Sequence, residues 1–164
     1  KFFDRLPIHI SIQNEASLEV IDLLLARYPE GAMSKDALGR LPLHYAMSHK
    51  APAEVVKSIL AAFPASAGVE DKNGWIPIHV ASNFGAALDI IEILLEAFPG
   101  STLVKTKKGS NAVKLAHKRG ASADVIRILE DAYKKESATF QTDVDREKNS
   151  YSIAQPRIGF ARGA

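Results

Sequence analysis

A short motif recurs along this chain at a fixed interval of 35 residues, and that interval is the strongest constraint on the fold. Four copies share one register: Leu6-Pro7-Ile8-His9, Leu41-Pro42-Leu43-His44, Ile76-Pro77-Ile78-His79 and the altered Asn111-Ala112-Val113-Lys114. A fixed period in this range predicts a solenoid of repeated units. Because solenoids present an extended surface to a partner, the period favours binding over catalysis.

Each unit is predicted to contain two helices. The first should begin at a proline, since the first helical turn does not need that N–H: Pro7, Pro42 and Pro77. The second shows apolar residues at helical spacing, as at Val56, Ile59 and Leu60. We expect the prolines at 29, 64 and 99 to end the second helices, whereas the fourth unit has Lys134 at this position.

Short turns are predicted between the units. Each is a four-residue segment that starts with Asp or Thr and ends with Gly, which suits a tight turn. They are Asp36-Ala37-Leu38-Gly39, Asp71-Lys72-Asn73-Gly74 and Thr106-Lys107-Lys108-Gly109.

The turn, the Pro-aliphatic-His motif and the Val/Ile/Leu-rich second helix together resemble the ankyrin repeat. The resemblance covers about residues 1–134, in units of about 1–35, 36–70, 71–105 and 106–134. It implies an all-α, ankyrin-type helix-turn-helix solenoid with short turn fingers. Two features depart from the family pattern: the period exceeds the usual ~33 residues, and Leu or Ile replaces the Thr whose hydroxyl bonds the motif His.

Residues 135–164 lack the repeat pattern and form a predicted C-terminal tail. The tail mixes charges with isolated large apolar residues, among them Tyr151 and Phe160. Two interpretations stay open: a disordered terminus, or an arm that becomes ordered on a partner and uses these residues as anchors. We favour the second, an extended C-terminal arm.

Composition narrows the setting of the protein. The chain has no cysteine, which fits an intracellular location without separating cytoplasm, nucleus or organelle interior. No apolar run approaches the ~18 residues of a membrane span. Phe2 and Phe3 are a poor polar cap for a terminal repeat, so we expect further chain or a partner to cover that end.

The net charge of +2 is unevenly distributed. No acidic residue lies between Lys105 and Arg119, a segment that contains these basic residues: Lys105, Lys107, Lys108, Lys114, Lys118 and Arg119. Such a cluster favours an acidic partner, anionic lipid headgroups or phosphate.

Catalysis and metal binding are not expected. His9, His44 and His79 occur once per unit, and packed helices lie on the order of 10 Å apart. Zinc ligands must come within about 2 Å of one ion, so these histidines cannot converge and are expected to hydrogen-bond turn backbone. Nucleophile-elbow, phosphate-loop and dinucleotide-binding motifs are absent from the sequence. We therefore assign no catalytic, cofactor-binding or metal-binding residue.

The resemblance implies that a partner binds to the turn fingers and the exposed side of the first helices. Trp75 and Phe84 are candidate aromatic anchors, although Trp75 could instead pack on a neighbouring finger. The predicted partner-binding residues are Arg40, His49, Lys72, Trp75, Phe84, Lys107, Lys108, Lys118 and Arg119, with Tyr151 and Phe160 from the tail.

The sequence thus predicts a non-catalytic protein–protein interaction module, an adaptor or an accessory subunit of a larger assembly. Two alternatives remain open. One is binding of nucleic acid or an anionic surface through the basic fourth unit, and the other is a regulatory domain of a longer enzyme.

Overall fold

The structure is a computed structural model that describes residues 4–153, with the helical backbone alone for residues 144–153. This part of the chain is all-α, with no strand. Its eight α-helices are α1 (Pro7–Gln13), α2 (Leu18–Arg27), α3 (Pro42–Ser48), α4 (Ala53–Ala62), α5 (Pro77–Phe84), α6 (Leu88–Ala97), α7 (Ala112–Arg119) and α8 (Ala123–Ile153). Two 3-10 helices follow α2 and α4, at Pro29–Met33 and Pro64–Gly68.

The first helix of each of the first three units begins at its proline, as predicted. The preceding Leu or Ile has an extended backbone and no side-chain acceptor, so the His at the third helical position supplies one instead. The Leu41 backbone N–H donates to His44 Nδ1 at 3.1 Å, and Ile76 donates to His79 Nδ1 at 3.2 Å. This is the returning half of a capping box, made by imidazole rather than by Glu or Gln.

The second helices of the first three units end where the sequence predicted. α2, α4 and α6 stop just before an aromatic residue that precedes a proline. That proline lacks an N–H and disfavours helical backbone in the residue before it.

α8 behaves differently, and the extended arm predicted from residue 135 is wrong over residues 135–153. The helix crosses Lys134 and continues to Ile153. Lys134 supplies the N–H that the prolines lack, and no Pro or Gly occurs between Ala121 and Ile153. Residues 154–164 of the predicted tail lie outside the described part of the chain.

A left-handed corner joins the two helices of every unit. Four residues, spaced 35 apart in the sequence, have positive φ: Glu15 (54°), Lys50 (53°), Gly85 (70°) and Gly120 (66°). Glycine adopts this conformation without strain, whereas Glu and Lys do not.

Like helices of successive units contact one another. α1 contacts α3, α3 contacts α5 and α5 contacts α7, while α2, α4, α6 and α8 contact in the same order. One continuous core results, and it contains Ile59, Leu94 and Leu129 at equivalent positions. Ile59 and Leu94 are fully buried, whereas Leu24 at the equivalent position of the first unit is half-buried.

Candidate binding surface

The turn fingers are held by backbone N–H groups that donate to the side chain of the residue that opens each finger. Asp36 Oδ1 accepts from the backbone N–H groups of Leu38 and Arg40, at 2.9 and 2.8 Å. Asp71 Oδ1 accepts equivalently from Asn73 and Trp75. The fingers therefore have a defined backbone conformation, which fixes the positions from which their outward side chains project.

Neighbouring fingers are joined through their backbones. The Lys72 N–H donates to the Leu38 carbonyl at 2.9 Å, and the Lys107 N–H donates to the Asn73 carbonyl at 3.0 Å. Gly39 and Gly74 make this approach possible, because an added Cβ would stand 3.1 Å from the Lys72 nitrogen and 3.0 Å from the Lys107 nitrogen. Both glycines also have positive φ. These bonds fix the position of each finger relative to the next.

Two of the motif histidines bond backbone carbonyls outside their own helices, as expected for a structural role. His44 Nε2 donates to the Trp75 carbonyl at 2.9 Å, and His79 Nε2 donates to the Val104 carbonyl at 3.0 Å. Since Nδ1 of each ring already accepts a backbone N–H, both rings are neutral imidazoles protonated on Nε2. Burial lowers the pKa of His9, His44 and His79, which keeps these rings neutral at physiological pH.

Arg40 and His49, two of the predicted partner-binding residues, belong to a polar cluster around Tyr45. Asp36 Oδ2 accepts from Arg40 Nε and Nη2 and from the Tyr45 hydroxyl. The Arg40 guanidinium lies 4.7 Å from the Tyr45 ring centroid, and His49 stacks on that ring at 6.1 Å. Arg40 is therefore paired within its own unit rather than held as a free surface charge.

The hydrogen bonds and charge of this cluster determine the protonation state of Asp36. Burial alone would raise the pKa of its carboxyl group, but the hydrogen bonds from Arg40 and Tyr45 and the charge of Arg40 outweigh burial and lower it. Burial and the neighbouring Asp36 together raise the pKa of Tyr45. The cluster thus stays as a carboxylate, a guanidinium and a neutral phenol.

The two predicted aromatic anchors differ in exposure. Trp75 is half-buried, packs against the core and meets the His79 ring edge-on at 6.3 Å. Phe84, the last residue of α5, is exposed. Phe84 is accordingly the more accessible aromatic surface of the third unit, and Trp75 has a structural role whether or not it touches a partner.

Apart from Arg40, the lysines and arginine of the predicted set are exposed: Lys72, Lys107, Lys108, Lys118 and Arg119. None of them takes part in the ion pairs found among residues 4–143. Arg119 Nε donates to Asn83 Oδ1 at 3.2 Å, a contact that joins the exposed ends of α7 and α5. The structure therefore gathers unneutralised positive charge on the finger and first helix of the fourth unit, beside Phe84 of the third.

The remaining two predicted residues come from the tail. Tyr151 lies on the α8 backbone, but its side chain is outside the described part, and Phe160 lies beyond it entirely.

Two polar contacts on α8 were not predicted from the sequence. His117 Nε2 lies 2.8 Å from Glu130 Oε1, which joins α7 to α8. Glu136 Oε2 accepts from the backbone N–H of Thr102, at 3.0 Å, and from its hydroxyl. The second contact fastens the continuation of α8 to the turn after α6. Neither pair follows a spacing that a sequence pattern could reveal.

The structure describes the side chains of residues 4–143, and among them no three His, Asp or Glu side chains lie close enough together to hold a metal ion. None of the helices of residues 4–153 combines the length and apolar character that crossing a membrane requires.

No protein-family model matches this sequence, and no curated protein matches it either.

Proposed function

We propose that this chain is an ankyrin-type solenoid that binds a protein partner through its fingers and first helices. The sequence resemblance is supported by the way like helices contact one another in chain order and by the backbone bonds between fingers. Within this proposal the protein is non-catalytic and serves as an adaptor or an accessory subunit of a larger assembly. The absence of cysteine suits an intracellular setting.

One observation carries the proposal most strongly. The finger backbones are fixed by internal hydrogen bonds and by bonds to the neighbouring finger, yet Lys72, Lys107 and Lys108 are exposed and form no ion pair among residues 4–143. A surface that is ordered before binding loses little conformational entropy when a partner arrives. Exposed side chains on such a fixed base are suited to recognition.

In this proposal, Phe84 and the exposed basic residues contribute to binding in different ways. Phe84 supplies exposed apolar area at the end of α5, next to Asn83, which Arg119 bonds, and a partner's apolar side chain would exclude water from it. The surrounding lysines and Arg119 attract acidic groups, which raises the association rate more than the lifetime of the complex. The expected partner therefore presents an apolar residue flanked by Asp or Glu.

Native size and partner identity can be measured together. Gentle extraction from the source followed by gel filtration and mass spectrometry should find the chain in a larger complex. Affinity for the co-eluting protein should then fall at least tenfold for Phe84→Ala combined with Lys107→Glu and Lys108→Glu. Lys57→Glu on α4 is the matched control, because this exposed lysine lies on a second helix away from the fingers. Equal affinity of the triple variant and the control would refute the proposed surface.

A second candidate is favoured by the unpaired basic residues of the fourth unit: binding to nucleic acid or an anionic membrane surface. This mode predicts a steep loss of affinity with salt, because counterions are released in proportion to the phosphates contacted. Titration with single-stranded RNA and with phosphatidylserine vesicles at about 50 and 200 mM salt distinguishes it. Tight, salt-sensitive binding that Phe84→Ala leaves unchanged would favour this candidate over the protein partner.

A further inference from the structure

The first unit exposes an apolar surface on one side. Four large aliphatic side chains of α1, α2 and the residue before α1 are substantially exposed: Leu6 (39%), Ile10 (45%), Val20 (43%) and Leu23 (58%). We call these four residues the open face. Isolated exposed aliphatic residues are ordinary, but a group of them on one face indicates a contact surface.

For Val20 and Ile10, the residues at equivalent positions in the later units are buried, whereas those equivalent to Leu23 are half-buried. Val20 corresponds to Val55, Ile90 and Val125, which are 4%, 6% and 4% exposed, respectively. Ile10 corresponds to Tyr45, Val80 and Leu115, which are likewise buried. The positions of Val20 and Ile10 thus lie in the core of every described unit except the first.

The preceding unit is what buries them. Val125 and Leu115 of the fourth unit are buried. Among the described units, α7 and α8 contact the third, which precedes them in the chain. Cover for these positions must therefore come from the unit before, not from the unit after. In the first unit that cover is missing within the described residues.

The aromatic residue that follows each second helix gives the same result. The Phe98 ring packs against Gly68 of the preceding unit, where an added Cβ would lie 3.3 Å from the ring. Tyr28 occupies the equivalent position in the first unit and is 64% exposed. Beside it a cleft of about 350 Å³ is lined by Leu6, Pro7, Ile8, Leu24, Tyr28, Glu30 and Gly31.

The opposite end is built to face water. In earlier units the positions of His117 and Glu130 are occupied by Ile12, Met47 and Ser82 and by Leu25, Leu60 and Leu95, all buried or half-buried. In the fourth unit they hold His117 and Glu130, which bond to each other at the surface. A second copy packed head to tail would bury this pair, at a large desolvation cost.

We propose that the open face binds one further helix-pair unit of the same pattern, in the register that precedes the first unit. This unit would cover the open face as the first unit covers α3 and α4, and its final turn would receive Tyr28 as Gly68 receives Phe98. The chain would then add units in one direction only, away from the polar end. This inference does not depend on what binds to the fingers.

The test extends the chain by a copy of residues 36–70 placed directly before residue 1, which keeps the 35-residue register. The extension should raise Tm by at least about 4 °C and slow hydrogen exchange in α1 and α2. The same extension on a chain with Ile10→Glu and Val20→Glu should give no such rise. The control is the extended chain with Lys57→Glu, which should keep the full rise in Tm.

Two results would overturn the proposal. The first is an equal gain with and without the two glutamates, which would mean that the added unit does not rest on the open face. The second is a stable dimer of the unextended chain in sedimentation analysis that Val20→Glu converts to monomer. That outcome would assign the open face to a second copy of the chain.

Discussion

The third unit packs between two neighbours, whereas the fourth contacts only the third among the described units. Both bury the same leucine of their second helix, Leu94 in one and Leu129 in the other. They differ at three equivalent positions. Leu95 becomes Glu130, the bonding His79 becomes the exposed Lys114, and the helix-ending Pro99 becomes Lys134.

The comparison separates two kinds of position within one repeat. Residues that pack inward or onto the preceding unit are kept in the fourth unit, because that unit must still close the core. The three positions that differ carry polar residues in the fourth unit, because the last unit of a repeat array has a polar outer face. Asn111 illustrates the replacement, since its side chain caps α7 by accepting the Lys114 N–H at 3.0 Å.

The largest expected effect comes from opening the shared core in a middle unit. Leu94→Ala should reduce the free energy of unfolding by about 2–5 kcal/mol, since the side chain is buried between units. Leu129→Ala should affect mainly the fourth unit and broaden the transition rather than shift all of it. Urea unfolding followed by circular dichroism measures both. Leu95→Ala is the control, and its loss should be smaller because Leu95 is half-buried. Indistinguishable unfolding of Leu94→Ala and Leu129→Ala would contradict the distinction between middle and end units.

A second prediction tests the position that separates α6 from α8. Lys134→Pro should end α8 at about residue 133 and remove the Glu136 contact to Thr102. Loss of a hydrogen bond to a charged group lowers stability by about 1.5–3 kcal/mol. Far-UV circular dichroism should show less helix, and amides beyond residue 134 should lose protection from hydrogen exchange. Lys134→Ala should change neither, and retained protection in the proline variant would disprove this explanation of the helix length.

Much of the fold could be predicted because Pro and Gly recur at the same positions of the 35-residue repeat. Proline positions fixed where α1 to α6 begin or end, and the Asp–Gly segments fixed the fingers. The continuation of α8 was missed because residues 135–143 are mostly exposed, as at Phe140, and an exposed helix need not show apolar periodicity. The absence of Pro and Gly from residues 121–153 was the available signal.

The candidate surface was predictable only in part. Exposure of the basic residues followed from their register, whereas the state of Arg40 depended on Asp36 four residues earlier and on Tyr45. The Asp36–Arg40 spacing could have suggested that pair. Contacts between units, such as Arg119 with Asn83, depend on how neighbouring helices sit, which one unit's pattern does not contain.

A third prediction uses His79 and its counterpart Lys114. Burial lowers the pKa of His79, and of His9 and His44, below the ordinary value near 6.5. The unfolded chain therefore binds more protons than the folded chain below that value, so stability is full above about pH 6.5 and declines as pH falls.

The measurement is Tm between about pH 7.5 and 5.5, above the range in which Asp36 titrates. His79→Gln should lose about 0.5–1.5 kcal/mol for each of its two backbone hydrogen bonds, and the decline with pH should become shallower. Lys114→Gln, at the exposed equivalent position, should leave the decline unchanged. A wild-type Tm that stays constant or rises on acidification would contradict the neutral, buried state of these rings.

The smallest predicted effect concerns the corner between the two helices, where the third and fourth units agree with each other but not with the second. Gly85 and Gly120 adopt positive φ without strain, whereas Lys50 holds φ 53° with a side chain attached. Lys50→Gly should therefore stabilise the protein by about 0.5–1 kcal/mol, the relief of left-handed strain less the added freedom of the unfolded chain. Lys57→Gly, inside α4, should instead destabilise it by about 1 kcal/mol. Because both variants replace an exposed lysine by glycine, opposite signs in urea unfolding isolate the backbone conformation as the cause. Destabilisation by both would mean that the Lys50 side chain contributes more than its backbone strain removes.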